Sequence, residues 1–186
     1  MGKIVDGSLL VLAVAAVALW GYSYLPIGDD RPVDPRRATI EDVERKLVGK
    51  RLHALSPVKS DEEPDSFFDP SGAVTLLLIL RTTCPACERT APVWKALVDS
   101  VPASVRTVVL SDESAQLLAD WISTHGVAAD VTLAETSTTA WGVIGTPTTL
   151  IVDRDGYVVR AKVGRIELGV VPELLMTMED LVSLKP

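Results

Sequence analysis

Apolar and polar positions divide the chain into a long uncharged stretch, a polar stretch and a region of short alternating elements. No charged residue interrupts the sequence from Gly7 to Gly28. As a helix these 22 residues would be about 33 Å long, enough to cross a hydrocarbon layer of about 30 Å. Leu9 to Leu19 is entirely Leu, Val and Ala. Trp20, Tyr22 and Tyr24 follow, and amphipathic rings gathered at one end suit a membrane–water interface. Pro26 ends the segment. A cleavable signal peptide is the competing reading, with Ala16-Val17-Ala18 as its small-residue site. The apolar character nevertheless continues through Leu25, with no polar region around that triplet. Residues 1–28 are therefore read as a membrane anchor.

Asp29, Asp30, Arg31, Pro32, Asp34, Pro35, Arg36 and Arg37 cannot bury a core, so residues 29–48 read as a linker. It contains a short helix capped by Thr39, with Ile40, Val43 and Leu47 on one face and Gly49 at its end. Residues 49–186 form the folded domain. Acidic Asp61, Glu62, Glu63 and Asp65 make a solvated insertion, and Phe67 and Phe68 return the chain to the core. Val74 to Leu80 is apolar except at Thr75, the mark of a strand covered on both faces. Cys84 to Ser100 reads as a helix with Pro85 in its first turn and Pro92 placed to kink its middle. A strand over Val105–Leu110 follows, then a helix over Ser114–His125 with Leu117, Leu118, Trp121 and Ile122 as its apolar face. A short strand at Val131–Ala134 and a brief helix near Thr138–Trp141 come next. Thr148–Val152 and Tyr157–Val163 flank the turn Asp153-Arg154-Asp155-Gly156, and Val171–Leu184 is a final helix. This order is α/β with a mixed sheet.

Composition narrows the function classes. The chain has 186 residues, 47% hydrophobic, with a net charge of −7, which disfavours a nucleic-acid partner. Two cysteines exclude a disulfide-stapled miniprotein. Both lie in Cys84-Pro85-Ala86-Cys87, directly after a buried strand and at a helix start. Spacing of i, i+3 puts the two sulfurs on one side of the first turn. Unpaired N–H groups and the positive end of the helix dipole stabilise a thiolate there, so Cys84 is the candidate nucleophile. Cys87, one turn deeper, is the candidate resolving thiol. A zinc half-site would need more soft ligands, and only His53 and His125 remain, in separate elements. A structural disulfide would close a loop too short to gain much entropy. A Cu(I) transfer site would lack a supporting Met or His cluster.

A second motif, Gly145-Thr146-Pro147-Thr148-Thr149, opens a strand some sixty residues later. With the CPxC motif, Pro92 and the Asp-x-Asp-Gly turn, it makes residues 49–186 resemble the thioredoxin superfamily. More narrowly, the chain resembles the membrane-tethered TlpA/ResA-like branch. The resemblance implies a thioredoxin-like fold, a mixed central sheet flanked by helices. It also implies a redox-active Cys84–Cys87 pair and a cis Thr146–Pro147 bond beside it. Pro85 and Ala86 would be supporting residues, and Thr146 would offer backbone hydrogen bonds to a bound peptide. The implied activity is thiol–disulfide exchange on protein thiols and disulfides, with no cofactor or metal. The implied redox partner is a membrane thiol–disulfide electron-transfer protein, and the redox domain is extracytoplasmic, as in a periplasm. Lys and Arg counting points the other way, because Lys3 precedes the anchor while Arg31, Arg36, Arg37 and Arg45 follow it.

Several positions depart from the family pattern. Thr83 stands where an aromatic residue often precedes the first cysteine. Thr90 stands where a Glu often follows the second, and Leu78 stands where thioredoxin has a buried Asp. Glu88 reads as a solvated first-turn acid. Val109-Leu110-Ser111-Asp112 and the CPxC strand are similar to MauD-type proteins that assist disulfide formation, which keeps a maturation role open. A redox-inert binding or adaptor domain on the same fold is a further alternative. Trp94, Trp121 and Trp141 are expected in the core, and His53 and His125 at the surface or at caps.

Overall fold

The computed structural model describes residues 35–53 and 69–184. The anchor at residues 1–28, the linker through Asp34 and the acidic insertion with Phe67 and Phe68 lie outside the described residues. Among the described residues, no helix is long and apolar enough to cross a membrane.

Five strands form one mixed sheet. These are β1 (Thr75–Ile79), β2 (Arg106–Leu110), β3 (Val131–Leu133), β4 (Thr148–Val152) and β5 (Val158–Val163), in the spatial order β3-β2-β1-β4-β5. β1 pairs parallel with β2 and antiparallel with β4; β2–β3 is parallel and β4–β5 antiparallel. β1 and β4 are buried at every position, as central strands are, including the polar Thr75, Thr148 and Thr149. Alternation along the strands then divides the core. Leu76, Leu78, Val109 and Ile151 face one side, and Leu77, Ile79, Val108, Leu110 and Leu150 face the other.

Helices cover the first side. α2 (Pro85–Val98) contributes Cys87, Ala91, Trp94 and Leu97, and runs on through Pro92. α3 (Ala115–His125) contributes Leu118 and Trp121, and α4 (Val171–Ser183) contributes Leu174 and Met178. The ends of α3 follow from sequence. Ser114 caps its first turn by accepting the Leu117 N–H, and Gly126 closes it at φ +63°, a backbone region that disfavours other residues. Leu117 departs from its expected place on the apolar face and is half exposed, because one i, i+3 pair, Leu118 and Trp121, fills the narrow contact.

The second side is closed by α1 (Pro35–Leu47), by a 3-10 turn at Thr139–Trp141 and by the chain at 49–52. α1 begins at Pro35, a full turn before Thr39, because a proline in the first turn has its φ already set for a helix. This helix is docked on the sheet. Leu47 is buried, and Glu44 Oε1 accepts the Val163 N–H of edge strand β5 at 2.8 Å. Gly49 N–H then donates to Val158 O and Leu52 N–H to Gly156 O, both at 2.8 Å. Trp141, fully buried, donates its indole N–H to His53 O at 2.7 Å, and Lys50 Nζ donates to Trp141 O at 2.7 Å.

Candidate active site at the start of α2

β1 delivers the chain to the first turn of α2, and its parallel neighbour β2 ends beside it. Cys84 is the N-cap residue of α2, with extended backbone (φ −88°, ψ 112°), and Pro85 occupies the first turn. The Cys84 carbonyl accepts the N–H groups of Cys87 at 2.9 Å and Glu88 at 3.2 Å. Its side chain is partly exposed, whereas Cys87 is fully buried among the apolar residues beneath α2. Both cysteines are free thiols.

The Thr146–Pro147 bond is cis, and Cys84 Sγ donates to Thr146 O at 3.6 Å. The two motifs, 62 residues apart in sequence, therefore meet at the reactive sulfur. Pro147 is buried. Its carbonyl accepts the Gly164 N–H at 2.7 Å, and the Thr148 hydroxyl donates to Gly145 O at 2.8 Å. Pro85 is exposed and Ala86 partly so, and the Ala86 carbonyl accepts the Thr90 hydroxyl at 2.8 Å. The buried Thr90 is thereby satisfied within its own helix.

The two thiols have opposite electrostatics. Partial burial disfavours a Cys84 thiolate, but the Cys87 N–H, the Cys87 thiol, Thr146 and the Ala86 N–H outweigh it, and the Cys84 pKa lies below the ordinary thiol value. Burial pushes Cys87 up to about 12, and a neighbouring Cys84 thiolate adds to the rise.

Glu88 is an exposed first-turn acid, as expected, and also bonds to the neighbouring helix. Its Oε1 accepts the Trp121 indole N–H at 2.8 Å and its Oε2 lies 3.0 Å from His125 Nε2, tying α3 to the first turn of α2. The His125 ring packs on Trp121 at 4.3 Å. Trp94 donates to Thr149 Oγ1 at 2.8 Å and meets Trp121 edge to face at 6.2 Å. Sequence reasoning gave Arg81 and Glu113 no role and named Asp112 only within the MauD-like stretch, although all three lie at the chain entering Cys84. Arg81 and Asp112, with Ile144 and Thr146, line a cavity of about 410 Å³ beside that entry. Ile144 is largely exposed at its rim. Among the described residues, no group of three or more His, Cys, Asp and Glu side chains is arranged to hold a metal ion.

No family model matches the sequence, and no curated protein matches it. Solved structures do. A thiol-disulfide isomerase from Corynebacterium glutamicum aligns with a TM-score of 0.54 at 18% identity, over 74% of this chain and 98% of its own. A thiol:disulfide interchange protein of the thioredoxin family from Chlorobium tepidum TLS aligns at 0.52 and 17%, over 73% and 97%. The MTB dsbF protein aligns at 0.51 and 23%, over 68% and 93%. At these identities the likeness is one of fold. The sheet order, the flanking helices and the breadth of the alignments make residues 35–53 and 69–184 a thioredoxin-like α/β fold.

Proposed function

We propose that the chain is a thiol–disulfide oxidoreductase that reduces or remodels disulfides of exported proteins through Cys84 and Cys87. The observation that carries this reading is the asymmetry of the two thiols: Cys84 partly exposed with its pKa lowered, Cys87 buried with its pKa raised to about 12. Solved structures of similar fold include proteins described as a thiol-disulfide isomerase and a thiol:disulfide interchange protein, which supports it.

The chemistry balances over two displacements. The Cys84 thiolate attacks one sulfur of a substrate disulfide, forming a mixed disulfide and expelling the other sulfur as a thiolate that takes up a proton. Consuming the Cys84 charge removes the repulsion that helps to hold the Cys87 proton. Cys87 then loses that proton and attacks Cys84, the Cys84–Cys87 disulfide forms, and the second substrate thiol leaves. Two electrons have passed to the substrate. A membrane thiol–disulfide electron-transfer protein returns them in this proposal, with residues 1–28 as the single-pass anchor and the redox domain extracytoplasmic. The uncharged run from Gly7 to Gly28 supports the anchor.

Cys84→Ser is expected to abolish exchange, and Cys87→Ser to trap mixed disulfides. Alkylation of the reduced protein near neutral pH should label Cys84 first. Faster labelling of Cys87 would overturn the assignment. A reduction potential below about −300 mV would instead mark a structural bond. A reporter active only outside the cytoplasm, fused after Pro186, tests the topology; activity of a cytoplasm-only reporter there would reverse it.

A further inference from the structure

Only Leu80, Arg81, Thr82 and Thr83 separate β1 from Cys84. Their path bears on both thiols, because the Arg81 carbonyl accepts the Cys84 N–H at 3.2 Å and the Arg81 backbone N–H favours charge on Cys87, against the larger effect of burial. This segment has one ladder bond, Leu80 N–H to Leu110 O at 3.0 Å. Beyond Leu80, side chains from the turn after β2 take hold of it. Asp112 grips the Arg81 guanidinium with both carboxylate oxygens, Nε–Oδ1 at 2.9 Å and Nη2 on Oδ2. Glu113 accepts the Thr82 N–H at 2.5 Å and the Ser111 hydroxyl at 3.2 Å.

The turn that does the gripping is itself anchored. Ser111 is fully buried, and its backbone N–H donates to Leu133 O at 2.9 Å. Thr136 N–H donates to Ser111 O at 3.0 Å, and Glu135 N–H donates to Glu113 O at 2.8 Å, with Glu135 at φ +51°. A non-glycine residue held in that region is one whose surroundings over-determine it.

Building on the oxidoreductase reading, we infer that the Ser111–Glu113 turn is a positioning element for the thiol pair, Asp112 balancing the Arg81 charge that Cys84 experiences and Glu113 fixing the backbone that leads into it. Arg81 stands three residues before Cys84 and is joined to it by the 3.2 Å bond from the Cys84 N–H to its carbonyl. The guanidinium is held above its ordinary range first by its bond to Asp112, and also by Glu113 and by a Cys84 thiolate. Because Arg81 and Asp112 are both about half exposed, the influence on Cys84 is screened and modest.

The charge account and a merely structural ion pair differ in sign. Asp112→Asn removes the carboxylate bonded to Arg81 and leaves Glu113 as its weaker acidic neighbour, and should speed alkylation of Cys84 in the reduced full chain. The expected gain is about two-fold at pH values where most Cys84 is still a thiol, the size of an exposed charge contact. Arg81→Met leaves the Asp112 anion and should slow alkylation by a similar factor, and the double variant should return toward the parent rate. If both single variants change the rate in the same direction, the pair only holds the loop and the charge role is overturned. Glu113→Ala should expose Cys87 to the alkylating reagent, and Glu113→Gln should restore protection, since its carbonyl accepts the same N–H. Equal Cys87 labelling in the parent, Ala and Gln forms would overturn the role of Glu113. Should Glu113→Ala fail to fold, the opposite signs at Arg81 and Asp112 still decide the proposal. These rates need no turnover, so a parent chain that alkylates as expected but exchanges no disulfides would sink the oxidoreductase reading alone.

Discussion

The two sides of the sheet are closed by different means. On the side of α2, α3 and α4, amphipathic helices lay Trp94, Leu97, Leu118, Trp121, Leu174 and Met178 over the strands, and the buried thiol of Cys87 sits within that layer. On the other side the cover is α1, a 3-10 turn and a stretch of irregular chain, fixed by individual hydrogen bonds at Trp141, Lys50 and Glu44. Both sides carry polar ties, Trp94–Thr149, Trp121–Glu88 and Glu88–His125 on the first; what sets the first apart is the continuous apolar contact of three helices, whereas the second joins one helix to irregular chain through specific bonds. The difference teaches where reactivity can be stored. A thiol pKa of about 12 requires a dry, continuous surrounding, which the helical layer supplies.

Matched truncations should separate the two sides most strongly. Trp94 and Trp141 are both fully buried, so each change to Ala is expected to cost about 3–5 kcal/mol in urea denaturation. Their effects on chemistry should differ. Trp94→Ala opens a cavity in the layer that holds Cys87 and leaves Thr149 Oγ1 without its indole partner, so native-state alkylation of Cys87 should rise. Trp141→Ala releases His53 O on the opposite side and should leave Cys87 protected. Equal labelling of Cys87 in the two variants would show that the layers are not independent. Trp94→Phe and Trp141→Phe keep most of the volume and provide the same comparison if the Ala forms do not fold.

The ways in which the two sides were legible in the sequence follow the same division. An apolar run announced β1, the Asp153–Gly156 turn announced β4 and β5, and the CPAC motif after β1 placed the thiols at a helix start. The expectation that Thr146–Pro147 lies beside Cys84 comes from family resemblance; the bond is cis, and Cys84 Sγ donates to Thr146 O at 3.6 Å. The irregular side was much less readable, since a docked α1 and a linker helix look alike until the Glu44 and Leu47 contacts are seen. The grip of Glu113 and Asp112 was missed for the same reason. Their partners lie 31 residues earlier, and a single long-range hydrogen bond leaves no periodic trace. Glu88 is the exposed acid its position implies, but helical position alone cannot show that Trp121 and His125 also reach back to it.

Alkaline titration of the reduced protein sharpens the account of the helical side at a smaller cost. Cys87 carries a folded-state pKa raised from an ordinary 9.0 to about 12. Below pH 9 the thiol is neutral whether the chain is folded or not, and stability is unaffected. Between about 9 and 12 the unfolded chain releases this proton and the folded one keeps it, so stability falls as pH rises. The slope approaches about 1.4 kcal/mol per pH unit. Cys84 acts in the opposite sense: its lowered pKa adds stability as pH climbs toward 9 and loses it as pH falls through the folded value. Denaturation of reduced parent and Cys87→Ala protein between pH 8 and 10 should therefore diverge above 9, with only the parent losing stability through this group. Parallel curves would mean that Cys87 is not the strongly suppressed acid its burial implies.

The smallest expected effect compares one carboxylate from each side. Glu88 ties two helices through side chains alone, and its own side chain is almost half exposed, so water can replace what a substitution removes. Glu88→Ala should cost about 1 kcal/mol, and Glu88→Gln less, because the amide oxygen still accepts the Trp121 N–H. Glu44 instead satisfies a backbone donor on the edge strand, and its side chain is only one-fifth exposed (20%). Its removal leaves the Val163 N–H without that acceptor and takes away the 4.0 Å contact with Lys162 Nζ as well. Glu44→Ala is expected to match or exceed the cost of Glu88→Ala and to speed hydrogen exchange locally at Val163, with Trp121 fluorescence unchanged. Glu88→Ala should alter that fluorescence and leave Val163 exchange alone. A shared response to both variants would mean that the carboxylates act through global stability, and the contrast between a side held by helices and a side held by single bonds would fail at its most local level.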